Sequence, residues 1–387
     1  MLNSRVRVLL FKVKLLSRQA LHFLLGVWRQ SLDRASSIQI LEGSIVYKKQ
    51  HQPLDGSPFE SSVVPTTNLN LKALNNPENA EKNEIYFETD YVWKLDVNES
   101  IISLQLCSSG TALVNQKFLL DLDYGTSAAL RDFPIKLQQV EYPLVVAPWS
   151  HFFGGYYSFV AWVLAKLCRI EEALGQDIWQ EAKVCYPLFN SKYEWQYLSK
   201  LGLPKDSLID TRNKDLRIRA KSLILANNQT QINRVSPYDI ELLRNRFCQP
   251  INGLKKKRIF LPRRSRRVLT NEAEVRDLLK DFGFEVAEDV SRTVDEQISL
   301  FQEASVIVGV HGAGLTNLLW CDPGTKVIEL FYSGYTKPGF YYFCKVLGLE
   351  YSCVFDEAIA EDHFANQFHD MTINVKTLKM ELERILS

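Results

Sequence analysis

Over the last 150 or so residues, short unbroken apolar runs alternate with stretches in which apolar positions recur every three or four residues. The first pattern predicts strands covered on both faces; the second predicts amphipathic helices. From about Pro237 onward, strands are predicted at Arg258–Leu261, Phe284–Ala287, Ser305–Val310, Lys326–Leu330 and Leu349–Val354. Helices are predicted at Glu272–Phe282, Val294–Ala304, Leu315–Trp320 and Phe340–Leu347. Five strands alternating with four helices is the signature of a doubly wound α/β domain. After it, Val375, Leu378, Leu382 and Ile385 repeat at helical spacing, predicting a C-terminal amphipathic helix docked on one of the domains.

Upstream the pattern changes. Tyr86–Thr89, Tyr91–Leu95 and Ile101–Leu106 are β-prone and alternate apolar with polar, which suggests a small antiparallel sheet with one wet face. Leu144–Ala147 reads as a buried strand that passes through a Gly-containing loop into a long apolar helix, Tyr156 to about Leu174, again an α/β unit. Residues 50–83 are rich in Pro, Asn and Ser and read as loop. Residues 1–34 interleave seven Arg or Lys with leucines, Phe23 and Trp28. That mixture suits a basic amphipathic helix on an anionic membrane surface, with packing on the protein's own body as the alternative. The expected organisation is therefore a basic segment 1–40, an N-terminal domain 41–236, a Rossmann-like domain 237–365 and a terminal helix 366–387.

Length and composition fit this division. At 387 residues with 46% hydrophobic content, the chain exceeds one ordinary core and supplies enough apolar material for two. A net charge of +1 excludes a whole-chain field for nucleic acid, so any anion must be held locally. Seven scattered cysteines, none spaced CxxC, predict reduced thiols in a cytoplasmic setting rather than a disulfide framework. The sequons at Asn98 and Asn228 would matter only in a secreted protein.

Candidate chemistry concentrates at Val308-Gly-Val-His-Gly-Ala-Gly-Leu-Thr-Asn. A buried strand empties into His311, Gly312, Ala313 and Gly314, and a helix follows with Asn317 in its first turn. Glycines permit a sharp turn and close approach of a ligand, and a helix start offers unpaired N–H groups with about half a positive charge. A diphosphate is the natural guest at such a place, and His311 would add a hydrogen bond; a turn needed only for packing is the plainer reading. Residues 255–267 carry eight cations. Lys255 to Arg258 precede a strand and read as a solvated edge, whereas Arg263, Arg264, Arg266 and Arg267 follow it, at the rim shared with the glycine turn. A nucleic-acid patch is disfavoured by the lack of interleaved aromatics. Glu329, at a strand end, suits either two ribose hydroxyls or an arginine. Asp121-Leu-Asp123 has the form of a metal–diphosphate motif that is common by chance, and His363 and His369 lack a third ligand, so no metal site is expected.

These residues resemble glycosyltransferase family 61. The likeness runs from Arg258 to Phe331, through Arg266–Glu272, Asp295-Glu-Gln-Ile, Gly309-Val-His-Gly-Ala-Gly-Leu-Thr-Asn and Pro323–Leu330. In the N-terminal half, Gly155–Leu167 is similar to the family's Asn-Tyr-Tyr-His-Trp segment, with Ser158 in place of the usual His and Trp162 where an acid is common. The resemblance implies a GT-B-like enzyme of two Rossmann-like domains. It would transfer a sugar with inversion from a nucleotide sugar to a glycan or polysaccharide acceptor in cell-surface polysaccharide synthesis, without a metal or other cofactor. His311, Gly312, Ala313, Gly314 and Asn317 would then line the donor turn, with Arg263, Arg267, Gln297 and Glu329 as further donor contacts. A base from the N-terminal domain is required; His151 is the first candidate and Asp132 the second. The departure at Ser158 supports an alternative, a non-catalytic sugar-nucleotide or glycan-binding homologue.

Overall fold

The computed structural model describes residues 32–50, 89–119, 138–148, 154–213, 216–228, 235–249, 257–288, 292–333, 335, 337, 339–356 and 369–387. Residues 1–31 of the basic segment, Asp121–Asp123, Asp132, His151 and His363 lie outside these residues. The described residues fall into two compact units that divide at Arg246/Phe247.

The N-terminal unit holds α1 (Arg34–Glu42), β1 (Ile45–Gln50), β2 (Thr89–Asp96), β3 (Leu104–Leu106), β4 (Ala112–Val114), β5 (Lys117–Phe118) and β6 (Gln138–Ala147). It continues with helix α2 (156–174), α3 (Ile178–Glu181), β7 (Lys183–Tyr186), α4 (Lys192–Lys200), β8 (Leu208–Asp210), β9 (Leu216–Ala226) and α5 (Pro237–Phe247). Strands β9, β6, β7 and β8 lie side by side and parallel. Taking β6 as first, their order is 3-2-1-4, one half of a Rossmann sheet. The antiparallel pairing expected of the upstream strands is present, but not as a small sheet of their own. Strands β2 and β3 pair antiparallel with β9, so they extend the same nine-stranded sheet. Trp93, Leu95, Leu104, Val145, Leu223 and Leu225 form the core that joins them.

Helix α2 is π-helical at Phe159–Leu164, between α-helical Tyr156–Ser158 and Ala165–Leu174, and every residue of the π segment is buried. It carries Arg169, fully buried, into an ion cluster. The guanidinium lies 2.9 Å from Asp239 and 3.4 Å from Asp90, and it donates to the side chain and carbonyl of Asn227 at 3.1 and 2.6 Å. Asn227 Oδ1 also accepts from Tyr91 N, and its amide donates to the Thr89 carbonyl. One arginine thus ties α2 to β2, to the end of β9 and to α5, and a charge so deeply buried is tolerated only when paired in this way.

The C-terminal unit holds β10 (Lys257–Leu261), α6 (Glu272–Asp281), β11 (Glu285–Val286), α7 (Val294–Gln302) and β12 (Ala304–Val310). A 3₁₀ helix (Ala313–Trp320), β13 (Lys326–Phe331), α8 (Gly339–Leu347), β14 (Glu350–Phe355) and α9 (Val375–Leu386) complete it. All five strands are parallel, in the order β11-β10-β12-β13-β14. Counted along the chain this is 2-1-3-4-5, in which the direction of winding reverses between β10 and β12. Ligands of such sheets sit at the carboxyl ends of the two strands flanking that reversal. The terminal helix α9 belongs to this unit, where Leu378, Leu382 and Ile385 enter the core with Val306, Val308, Ile328 and Leu330.

Candidate functional site

Strand β10 ends at Leu261 and β12 at Val310, and from those ends come the arginine segment and the glycine turn. Gly309, still in β12, has Leu315 folded back so closely that an added Cβ would meet Leu315 Cδ2 at 2.5 Å. The helix that follows is 3₁₀ and starts at Ala313, where an α-helix from Leu315 was expected. Its last six residues are all buried, whereas Gly314 is exposed, so the helix presents its N-terminal end to solvent. Asn317 serves the helix itself, donating to the Gly314 carbonyl at 3.1 Å and accepting from Trp320 Nε1 at 3.1 Å.

Gly312 and Arg263 define the turn together. Arg263 Nη1 donates to the His311 carbonyl at 2.9 Å, and its guanidinium then lies where a side chain on residue 312 would project. A Cβ built on Gly312 would fall 1.3 Å from Nη1. Arg267 Nε donates to the same carbonyl at 3.3 Å, and Arg263 Nε donates to the Arg266 carbonyl at 2.8 Å. Burial, followed by the charges of Arg267 and Arg266, pushes the Arg263 guanidinium down to about 10. Arg267 is lowered as well, chiefly by burial. The other two arginines of the segment go elsewhere. Arg264 joins a surface ion network with Glu272, Glu288 and Arg276, and Arg266 is exposed.

The His311 side chain turns inward. Nδ1 lies 2.6 Å from Glu329 Oε1, and Tyr351 Oη donates to Glu329 Oε2 at 2.7 Å. The imidazole stacks on Phe331 at 4.7 Å. Burial, then Arg267, Arg263 and Lys337, holds His311 well below the ordinary imidazole range. Burial raises Glu329 to about 8, against the opposing pull of Tyr351 and Arg267. If Glu329 carries the proton it donates to Nδ1, and the imidazole proton then sits on Nε2 as a donor; if it is ionised, Nδ1–H donates to the carboxylate and Nε2 presents a lone pair.

The structure therefore brings together Arg263, Arg267, His311, Gly312, Ala313, Gly314 and Glu329. Glu329 is fully buried and bonded to His311 and Tyr351. Gln297 is half-buried in the early part of α7, and among the described residues no hydrogen bond links its side chain to this cluster. Tyr335, Lys337 and Tyr351 were not singled out from the sequence. The signal for Tyr335 and Lys337 was available, because both follow the carboxyl end of β13. Of the two sequon asparagines, Asn98 is exposed in the turn after β2 and Asn228 is buried. No cysteine is in a disulfide. No helix among the described residues is long and apolar enough to cross a membrane.

The family model of glycosyltransferase 61 matches residues 113–328, more than half of the chain. The chain belongs to glycosyltransferase family 61. It is similar to the β-1,2-xylosyltransferase RCN11 of Oryza sativa subsp. japonica, with 38% identity over 104 residues, covering 24% of this chain and 20% of the rice protein. It is also similar to a β-1,2-xylosyltransferase of Arabidopsis thaliana, with 33% identity over 86 residues, covering 22% of this chain and 15% of that protein. The matched stretch thus spans a fifth or less of either plant relative.

Proposed function

We propose that this family 61 protein is an inverting glycosyltransferase that moves a sugar from a nucleotide-sugar donor to a glycan or polysaccharide acceptor, in cell-surface polysaccharide synthesis. One observation carries the reading. Two guanidinium groups converge on a single carbonyl beside an open helix start, at the switch point of a 2-1-3-4-5 sheet. In such a reaction an acceptor hydroxyl attacks the anomeric carbon, a base removes its proton, and the bond to the nucleoside diphosphate breaks with inversion. Arg263, Arg267 and the first N–H groups of the 3₁₀ helix would stabilise the departing charge, which makes a metal unnecessary. His311, donating from Nε2, would hold a phosphoryl or sugar oxygen, with Ala313 and Gly314 at the open end of the turn. Gln297 and Asn317 would line its margin.

The base is assigned to the N-terminal unit, to His151 with Asp132 as second choice, within a GT-B-like pairing of two Rossmann-like domains. Because the plant relatives are xylosyltransferases, a xylosyl nucleotide is the first donor to test. Purified protein, supplied with a panel of nucleotide sugars and glycan acceptors in the presence of a chelator, is expected to release nucleoside diphosphate, and Arg263→Ala and Arg267→Ala to lose that activity. Binding of donor without turnover against any acceptor would turn the reading toward a sugar-nucleotide-binding homologue. Failure of every nucleotide sugar and nucleoside diphosphate to bind would refute both.

A further inference from the structure

Beyond the turn and the arginine segment, a third strand end contributes to the cluster. Strand β13 is followed by Tyr335, whose ring centroid lies 5.0 Å from Arg267 Cζ and 5.7 Å, edge-on, from the His311 ring. Lys337 Nζ lies 5.8 Å from the same centroid. One aromatic ring therefore attracts two cations, as the negative face of a π-system does. Tyr335 is itself fixed by a turn in which its N–H donates to the Tyr332 carbonyl at 2.9 Å. Arg267 has φ +53°, a left-handed backbone that residues other than glycine rarely adopt. Such a conformation persists where the surroundings over-determine it, and such places cluster at ligand sites. Here the His311 carbonyl grips Arg267 at Nε while the Tyr335 ring lies against its guanidinium carbon.

We propose that Tyr335 is the residue that positions the Arg267 guanidinium at the donor turn, and that Lys337 adds a third cation serving the second phosphoryl group of a bound diphosphate. The inference rests on the reading of that turn as a nucleotide-sugar site. Charge matching supports it. A nucleoside monophosphate carries roughly two negative charges near neutral pH and a diphosphate about one more, because a terminal phosphoryl group has its second pKa near 6. Arg263 and Arg267 match the first; the diphosphate calls for a third cation. A lysine suits that task, since its point charge on a flexible stem follows the terminal group while the rigid forks of the arginines stay on the turn. All three cations are close enough to depress protonation of His311, which places Lys337 electrostatically with the arginines.

The test is calorimetric titration of wild type, Lys337→Gln, Tyr335→Phe, Tyr335→Ala, Arg267→Ala and the Tyr335→Ala/Arg267→Ala double variant. The probes are uridine diphosphate, guanosine diphosphate and inorganic pyrophosphate, each paired with its one-phosphate counterpart. Lys337→Gln is expected to weaken the two-phosphate probes about tenfold, the worth of one charge-assisted bond, while one-phosphate probes change by less than about twofold. Tyr335→Phe keeps the ring and should bind as wild type. Tyr335→Ala should lose about as much as Arg267→Ala, and the double variant no more than the larger single loss. Lys337 is exposed, so its variant tests the idea even if Tyr335→Ala folds poorly. An unchanged preference for two phosphates in Lys337→Gln overturns the role of the lysine, and wild-type binding by folded Tyr335→Ala overturns the positioning role. If these variants bind normally while Arg267→Ala does not, only this inference falls. If wild type binds none of the probes, the donor-site reading falls with it.

Discussion

Replacing Gly312 by alanine adds one carbon, and its consequence can be worked from the geometry of Arg263. Residue 312 has φ 165°, extended backbone open to any residue, so alanine introduces no backbone strain of its own. The new Cβ would lie 1.3 Å from Arg263 Nη1, 2.5 Å from Cζ and 3.2 Å from Nε. Ordinary non-bonded separations begin near 3.5 Å, so the tip of the guanidinium must retreat by roughly 2 Å. The 2.9 Å bond to the His311 carbonyl does not survive that displacement. Hydrogen bonds to charged groups contribute about 1.5–3 kcal/mol, so diphosphate affinity should fall roughly 10- to 150-fold if Arg263 contacts the ligand from this position. Fold stability should fall by less, because a half-buried guanidinium regains water when it swings out. Titration of uridine or guanosine diphosphate into wild type, Gly312→Ala, Arg263→Ala and the double variant closes a thermodynamic cycle. The double variant should be no worse than Arg263→Ala alone. Wild-type affinity in Gly312→Ala, or losses that simply add, would refute the idea that the glycine exists to seat the arginine.

Three further outcomes are expected. Gly314→Ala meets nothing within 4 Å, so its melting temperature should match wild type while nucleotide binding weakens, which isothermal titration would detect; equal binding would mean that no ligand approaches residue 314. Glu329 has a raised folded-state pKa, so its contribution to stability is present at low pH and is lost as pH rises toward about 8. Between pH 6.5 and 8, where the proton lost by folded Glu329 lowers stability and the protons lost by the unfolded His311 raise it by a smaller amount, denaturant melts should show a net fall of about 1 kcal/mol; Glu329→Gln, whose amide keeps donating to Nδ1, should remove the fall and hold diphosphate affinity constant above pH 8. Arg169→Met strands two buried carboxylates and should lower unfolding free energy by about 3–5 kcal/mol, with a smaller loss at pH 5 than at pH 8 as those carboxylates take up protons.

Legibility of the fold in the sequence followed burial. Val306–Val310 is a strand covered on both faces, and its unbroken apolar run identifies it without ambiguity; Lys326–Phe331 is equally covered, with Glu329 as a buried acid within its apolar run. Strand β9 is harder to see. Its first half carries Arg217, Arg219 and Lys221, and only its second half is fully buried, so it reads as a charged loop leading into a short apolar run. Without β9, the strands from Thr89 to Leu106 look like a sheet of their own. The π segment of α2 leaves no trace in apolar spacing, because all six of its residues are buried. The glycine turn was legible because its residue types announce a strand-to-helix junction at a ligand edge. Residue types alone did not separate Arg263 and Arg267 from Arg264 and Arg266, although the family resemblance did, because their placement depends on the left-handed backbone at Arg267 and on the acids that claim Arg264.

Arg169 is fully buried and Arg263 half-buried, and the two carry their charge in different company. Arg169 lies beside two carboxylates and the side chain and carbonyl of Asn227, and those acids raise its pKa against the cost of burial. Its charge is matched within the fold. Arg263 donates to two backbone carbonyls instead, and its neighbours Arg267 and Arg266 add to burial in lowering its hold on the proton. Glu329, the carboxylate of the cluster, is bonded to His311 and Tyr351 and forms no ion pair with either guanidinium among the described residues. Stability alone would select against such crowding of positive charge, because each guanidinium makes the other costlier to bury. The arrangement becomes favourable once an anion is present, and the protein should then gain stability by mass action, by about 2.7 kcal/mol at a ligand concentration one hundred times Kd. The electrostatic cost held at the end of β12 is thus the physical reason to expect a phosphorylated ligand there and not beside Arg169.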